Sequence, residues 1–421
     1  MRTTRRALLA AGLAAPFAAR AQAKRLDILS HRVHQMVLTQ GAAGDLTEPF
    51  RRAEGAELAW TTLDIGPLQD RLLREASLPR TEFGVGYLLN SRATQDTAKL
   101  LAPLEPHLSA EPIEAYDDIA PGLRAAMQVG GATIAVPVRH ATNGLFHNAA
   151  LLEERGIAGP PRTIEEFLDQ CRKLSFRRAD GVPVSGFVMA ANLASFPTIL
   201  ARAYGGDFIA GDLSLLPNRG AMVRAFAALR GLYEDGAMPR NFAAVSNEDQ
   251  VTQMLQGRAG FVILPFARHA QLNKADASRN PGRIMASEFP VSSSLPAGTR
   301  MATAVEFWSM SIPRAARDPQ LGWRFIRAMS SKSVTLGSAR NGNGPVRVST
   351  YAEPSFAGEN PVASIEAAAL ATARPPFPAF PEANRAEAIL VEEMQATVLG
   401  RKSPEAAVED AGSRIAPLLK G

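Results

Sequence analysis

Short apolar runs of strand length alternate with amphipathic stretches along this chain. That alternation constrains its fold more than any other feature. RLDILS (25–30) is an apolar run, DLTEPFRRAEG (45–55) has helical spacing with Asp45 in an N-cap position, and AELAWTTL (56–63) returns to strand. PLQDRLLREAS (67–77) is helical again and FGVGYLL (83–89) is another strand. Strand, helix, strand at this interval predicts parallel β-α-β units, and so an α/β protein. After a Pro-broken connection at 100–108, the pattern continues with strands at 132–138, 144–148, 259–266 and 306–313. Helices are expected at 148–157, 161–176, 195–207, 222–236, 247–258 and 318–331, with one more at the close of the chain. Thr163 with Glu166 has the spacing of a capping box, in which hydroxyl and carboxylate satisfy the free amides of the first turn.

With 421 residues, the chain is long enough for two or three lobes that each bury a core. Apolar residues make up 46% and charged residues 21%, which excludes a disordered chain. The formal charge of +5 comes mostly from one end. Residues 1–23 hold Arg2, Arg5, Arg6 and Arg20 and no acid, and the remainder has 42 basic against 41 acidic residues. A basic surface built for nucleic acid is therefore not supported.

That basic end reads as an export signal. A basic head precedes the apolar run Ala7 to Ala19, which Pro16 interrupts and which is too short to span a bilayer of about 30 Å. It closes on Ala21-Gln22-Ala23, a small-x-small cleavage site, so cleavage is expected after Ala23 and the mature chain in the periplasm. TRRALL is similar to a twin-arginine signal, with the general secretory route as the alternative. Cys171 is the single cysteine, so an intramolecular disulfide is impossible. It falls in a helical segment, where an inert buried thiol is the expectation.

The motifs of common enzyme chemistries are absent. There is no GxxxxGK[ST], no GxSxG and no HExxH, and Gly342-Asn343-Gly344 runs into Arg347 rather than completing a dinucleotide pattern. His31 and His34 lack a nearby carboxylate that would make a metal site. No cofactor, no metal and no enzymatic activity are expected. A secreted hydrolase with two carboxylates placed by the fold stays as an alternative.

The order of segments then becomes specific. In IAVPVRHATNGLFHNAALLEERGIAGPPRTIEEFLDQCRKL (134–174), a strand ends on Pro and a second strand ends on Asn. A short helix, a Gly-Ile turn and a Glu-Glu helix follow. GRAGFVILPF, NGNGPVRVSTY and GRKSPEAAVEDAGSRIAPLL come later in the same order. This arrangement resembles the extracellular solute-binding proteins of ABC importers, family 1, the group that includes the maltose-binding protein.

The resemblance implies two α/β lobes of the type II-like periplasmic-binding-protein fold, with a ligand cleft between them that closes by hinge motion. Crossings are expected near 138, 266 and 311. They divide the chain into lobe I (24–138 plus 267–311) and lobe II (139–266 plus 312–421). The implied partners are a small-molecule ligand and ABC permease subunits in the inner membrane, with the receptor itself monomeric. A sensor or adaptor outside transport is a further alternative.

Ligands of open α/β sheets sit at the C-terminal ends of strands. The polar and aromatic residues just past each strand are therefore the candidate binding residues: Arg32, Asn90, Arg139, His140, Asn192, Phe196, Phe266, Arg268, Glu306, Trp308 and Arg347. Phe266 matches a family position that often stacks on sugar. The family's late aromatic has no counterpart in PEANRAEAIL. With 3 Trp and 5 Tyr the chain is poor in platforms for a long oligosaccharide. The expectation is a small sugar, polyol or sugar derivative. The several arginines among the candidates make an anionic solute, a sugar phosphate or a carboxylate, the alternative.

Overall fold

The computed structural model describes residues 24–420. The expected export signal and its cleavage site lie outside the described residues. Nine strands form the main sheet: β1 (Lys24–Ser30), β2 (Ala56–Thr62), β3 (Phe83–Leu89), β4 (Val136–Asn148), β5 (Phe176–Arg177), β6 (Pro183–Val188), β7 (Ala259–Pro265), β8 (Ile284–Ser287) and β9 (Val305–Ser311). Their order is β2-β1-β3-β9-β4-β7-β6-β5, with β8 paired to the far half of β4. β1 runs parallel to both β2 and β3, as the β-α-β spacing predicted.

The apolar side chains gather into two main cores. One holds Ile28, Val85, Val136 and Met310 together with Trp323, Phe325, Ile326 and Leu370. The other holds Phe167, Phe187, Phe226 and Phe261 together with Phe289, Phe377 and Leu390. A smaller cluster, including Phe146, Val262 and Phe266, covers the opposite face of the second lobe's sheet. Stacked phenylalanines fix the second core: Phe167 meets Phe187 and Phe261 edge-on at 5.2 and 5.4 Å. Cys171 is buried there, and loss of hydration pushes its thiol well above the usual range, as expected of an inert cysteine.

These cores correct the expected lobe boundaries. Most buried side chains of 312–373 pack with the first lobe, with Val362 and Ala369 joining the smaller second-lobe cluster, and those of 267–304 pack with the second. The chain crosses between lobes within β4, just before β9, and again near 374. The three crossings lie side by side. Asn143 N donates to Ala304 O at 3.1 Å, Val305 N donates to Arg374 O at 3.2 Å, and Arg374 N donates to Thr303 O at 3.1 Å. The strands expected at 132–138 and 144–148 are mostly one continuous strand of 13 residues that runs through the first crossing. The intervening Arg139-His140-Ala141-Thr142 looks polar because it passes between cores, where one face meets water.

Helix ends follow their local chemistry. Thr163 caps the helix Ile164–Lys173 by accepting from Glu166 N at 3.1 Å, but the Glu166 carboxylate turns to Arg162 N at 2.8 Å, so the box closes one residue early. Thr47, not Asp45, stands at the N-cap of Glu48–Glu54, and Asp45 instead accepts from Thr47 N at 2.8 Å.

The Gly342-Asn343-Gly344 loop has a packing role. A Cβ on Gly344 would come within 2.1 Å of His140 O, so only glycine lets the loop lie against β4. Asn343 Nδ2 then donates to Val138 O at 2.9 Å.

Candidate functional site

A cavity of about 420 Å³ opens between the lobes, within the range of roughly 300–1,000 Å³ usual for small-molecule sites. Its walls are built from segments far apart in the chain. The first lobe supplies Leu89, Asn90 and Ser91 at the C-terminal end of β3, and Glu306 on β9. The second lobe supplies Leu193 to Phe196, Asn247, Phe377, Asn384 and Glu387. The crossing strands form the floor with Ala141, Asn143 and Ala304.

Local structure fixes these groups. Asn90 follows β3 directly and is 6% exposed. Its Oδ1 accepts from Phe307 N at 2.8 Å, which locks the amide against β9 and leaves Nδ2 with no partner among the described residues. In the β4–β9 register Glu306 lies opposite Ala141, so its side chain shares a sheet face with Arg139 and Trp308. Glu306 is solvent-accessible within the cleft, yet the protein walls around it remove enough water to push its carboxyl up from the usual range. The Trp308 indole and the Arg139 charge pull the other way. Across the cleft, Glu387 is raised by loss of hydration and by the Glu306 charge, against the pull of Arg92. Neither carboxylate has an ion-pair partner within 4 Å among the described residues, and no Arg or Lys lines the cavity.

Of the residues expected from sequence, the structure brings Asn90, Phe196 and Glu306 together on this lining. The others stand elsewhere. Arg347 is fully buried and donates to the carbonyls of Ser330, Ala115 and Glu114 at 2.6–3.0 Å, with Asp118 at 3.4 Å. It is a structural hub, which no single-residue sequence signal distinguishes from a ligand arginine. Arg268 pairs with Glu248 at 2.6 Å on the surface. Arg32 is exposed at the start of a helix, and Asn192 is exposed one residue short of the lining.

Arg139 borders a separate cavity of about 20 Å³ inside the first lobe, beside His34 and Asn343. Trp308 is buried there too, 4.8 Å from His34. His140 points to the opposite face of β4, where Nε2 meets Tyr351 Oη at 2.7 Å. Phe266 packs into the second lobe against Phe146 and over Gly144, whose missing Cβ makes the space, so it offers no face to the cleft.

Sequence reading missed Asn143, Asn247, Phe377, Asn384 and Glu387. Phe377 is an aromatic on the lining, just ahead of PEANRAEAIL. It sits in the Pro-rich PPFPAF, and that local composition was its available signal. Arg202 was missed as well. It is buried in the helix Ser195–Ala203, pairs with Asp207 at 3.0 Å, and donates to the carbonyls of Ala302, Arg374 and Pro375. It ties the helix that carries Phe196 to the second and third crossings.

Two cores joined by three adjacent crossings, with a polar and aromatic cavity between them, define a two-lobed binding protein. The family description "Bacterial extracellular solute-binding protein" matches residues 88–335. The chain belongs to this family of solute-binding proteins, which bind small molecules and work with ABC transporter permeases.

Solved structures of similar fold include the sugar-binding protein MalE from Xanthomonas citri. It is 19% identical, with a TM-score of 0.79 over 94% of this chain and 98% of that one. Maltose-bound MalE3 of T. maritima is also 19% identical, with a TM-score of 0.75 over 94% and 100%. An ABC transporter solute-binding protein from Agrobacterium radiobacter K84 in complex with ribitol is 19% identical, with a TM-score of 0.74 over 94% and 98%. Among the described residues no helix is long and apolar enough to cross a membrane.

Proposed function

We propose that this protein is a periplasmic receptor that carries a small sugar, polyol or sugar derivative to an inner-membrane ABC permease. The observation that carries this reading is the cavity lining. Phe196 and Phe377, 2% and 3% exposed, back the apolar part of the wall, while four asparagines (Asn90, Asn143, Asn247 and Asn384) offer amide donors and acceptors. Hydroxyl-rich solutes need that mixture, because each hydroxyl that leaves water requires a replacement partner. The arginines that favoured an anionic solute do not line the cavity, so that alternative loses its support. The ribitol-bound protein above supports the sugar-or-polyol reading, as do similar proteins bound to α-D-tagatose and D-mannitol.

The physical cycle needs no covalent step. A solute that touches both lobes stabilises the closed form, in which Asn90 and Glu306 face Asn247 and Glu387. The permease then recognises that form by its shape. The crossings in β4 and β9 act as the hinge, and Arg202 braces it.

A thermal-shift panel of monosaccharides, polyols, sugar phosphates and small carboxylates tests the reading. Stabilisation follows RT ln(1 + [L]/Kd), about 2.7 kcal/mol at a hundredfold excess over Kd. We expect a shift with a neutral or amine-bearing hydroxylated solute. Shifts with sugar phosphates or carboxylates alone, or none at all, overturn the reading.

A further inference from the structure

Among the described residues, two of the three buried carboxylates elsewhere are held by cations, and the third, Glu366, has the Tyr351 hydroxyl beside it. Glu393, 1% exposed, is held by Lys402 at 2.7 Å and Arg414 at 2.6 Å. Asp207, 3% exposed, is held by Arg202 and Arg374 at 3.0 and 2.9 Å. The two carboxylates of the cleft break this pattern. Glu306 and Glu387 line the cavity without a cation within 4 Å among the described residues, and they stand on opposite lobes.

The nearest positive charges act from outside the cavity. Arg139 lies behind Glu306, in the small first-lobe cavity with His34, and Arg92 borders an adjoining depression with Asn384 and Phe380. A second, independent group points into the same space. The Asn90 side chain is more than nine-tenths buried, its oxygen is taken by Phe307 N, and its amide N–H groups have no partner among the described residues.

Like charges on facing lobes oppose closure, because bringing them together in a drying cleft raises their repulsion. A neutral solute leaves that cost in place. A cationic group between them removes it and adds two charge-assisted hydrogen bonds. We infer that the cleft selects a hydroxylated solute bearing an ammonium group, an amino sugar or amino polyol, with the ammonium between Glu306 and Glu387 and the hydroxyls on the asparagines. This inference deepens the sugar-or-polyol reading and rests on it.

Matched pairs test it by titration calorimetry of the mature protein. The probes are glucosamine, galactosamine and mannosamine against their parent hexoses and N-acetyl forms, and 1-amino-1-deoxysorbitol against sorbitol. For the pair of correct stereochemistry, the amine is expected to bind at least tenfold tighter than its neutral partner at pH 7. That ratio is expected to shrink as pH is lowered, because both carboxyls are raised from the usual range.

Glu306→Gln and Glu387→Gln should each bring the amine-to-neutral ratio close to one, with unaltered thermal unfolding as the control for folding. Neutral partners that bind as tightly as the amines, or a preference that survives both substitutions, overturn the inference and leave the sugar-or-polyol reading standing. If no member of any pair binds, that reading itself falls, and the inference with it.

Discussion

The strand pair β4–β9 carries a glutamate on each side, and the two sides have opposite designs. On the cleft side, Glu306 meets an open cavity and has no cation in contact. On the reverse side, Glu366 is 4% exposed under the helix Ala363–Thr372, and Tyr351 sits between it and His140. His140 in turn bonds Thr142 Oγ1 at 2.9 Å and Pro345 O at 2.9 Å.

Burial pushes Glu366 up to about 8, with the Tyr351 hydroxyl pulling slightly downward. It pushes His140 down to about 4. Both groups are therefore mainly neutral at pH 7, and a closed neutral network holds the helix Ala363–Thr372 to β4. On the reverse face polar groups find protein partners, while on the cleft face Glu306 meets open space.

Removing a paired group should cost stability, with the largest effect at Arg347. Arg347→Ala strips partners from three carbonyls and Asp118, and is expected to cost about 3–5 kcal/mol in chemical denaturation. A loss below 1 kcal/mol would break the distinction between paired and unpaired groups.

A sharper test is pH-dependent. Glu366 is raised in the folded state, so its contribution is fully present below its unfolded value near 4.5 and is lost as pH rises through about 8. His140 has the opposite sign. Its contribution is present above its unfolded value near 6.5 and is lost as pH falls through about 4. Glu366→Gln should therefore raise the unfolding temperature relative to wild type at pH 9 and leave a much smaller difference at pH 6. A constant difference across that range would show that Glu366 does not titrate in the folded protein.

The smallest effect belongs to Arg268. Its surface pair with Glu248 is expected to be worth less than about 1 kcal/mol, and solute affinity measured for Arg268→Ala should match wild type within twofold.

Much of the fold was legible before any coordinates. β3 was read at its observed limits, and β1, β2, β7 and the helix Pro319–Met329 to within a few residues, because hydrophobic periodicity is a local property. The site was legible where it lies next to a strand end. Asn90 was singled out because it follows β3, and Glu306 because it stands at the start of β9, and both line the cavity. Phe266 and Arg347 satisfied the same positional rule, yet the first fills the space over Gly144 and the second gathers carbonyls inside the first lobe. Residue type and distance from a strand cannot separate those outcomes, since partners from elsewhere in the chain decide them.

The sequence by itself determined the alternation of strands and helices and the order of segments that marks the family. Each of these depends on neighbours within a turn or two. Only the tertiary structure decided that 312–373 returns to the first lobe, that Phe377 and Glu387 face Asn90 and Glu306, and that the candidate arginines stand outside the cleft. Those facts follow from long-range packing of two cores, where the apolar surface each segment buries fixes which distant side chains it meets.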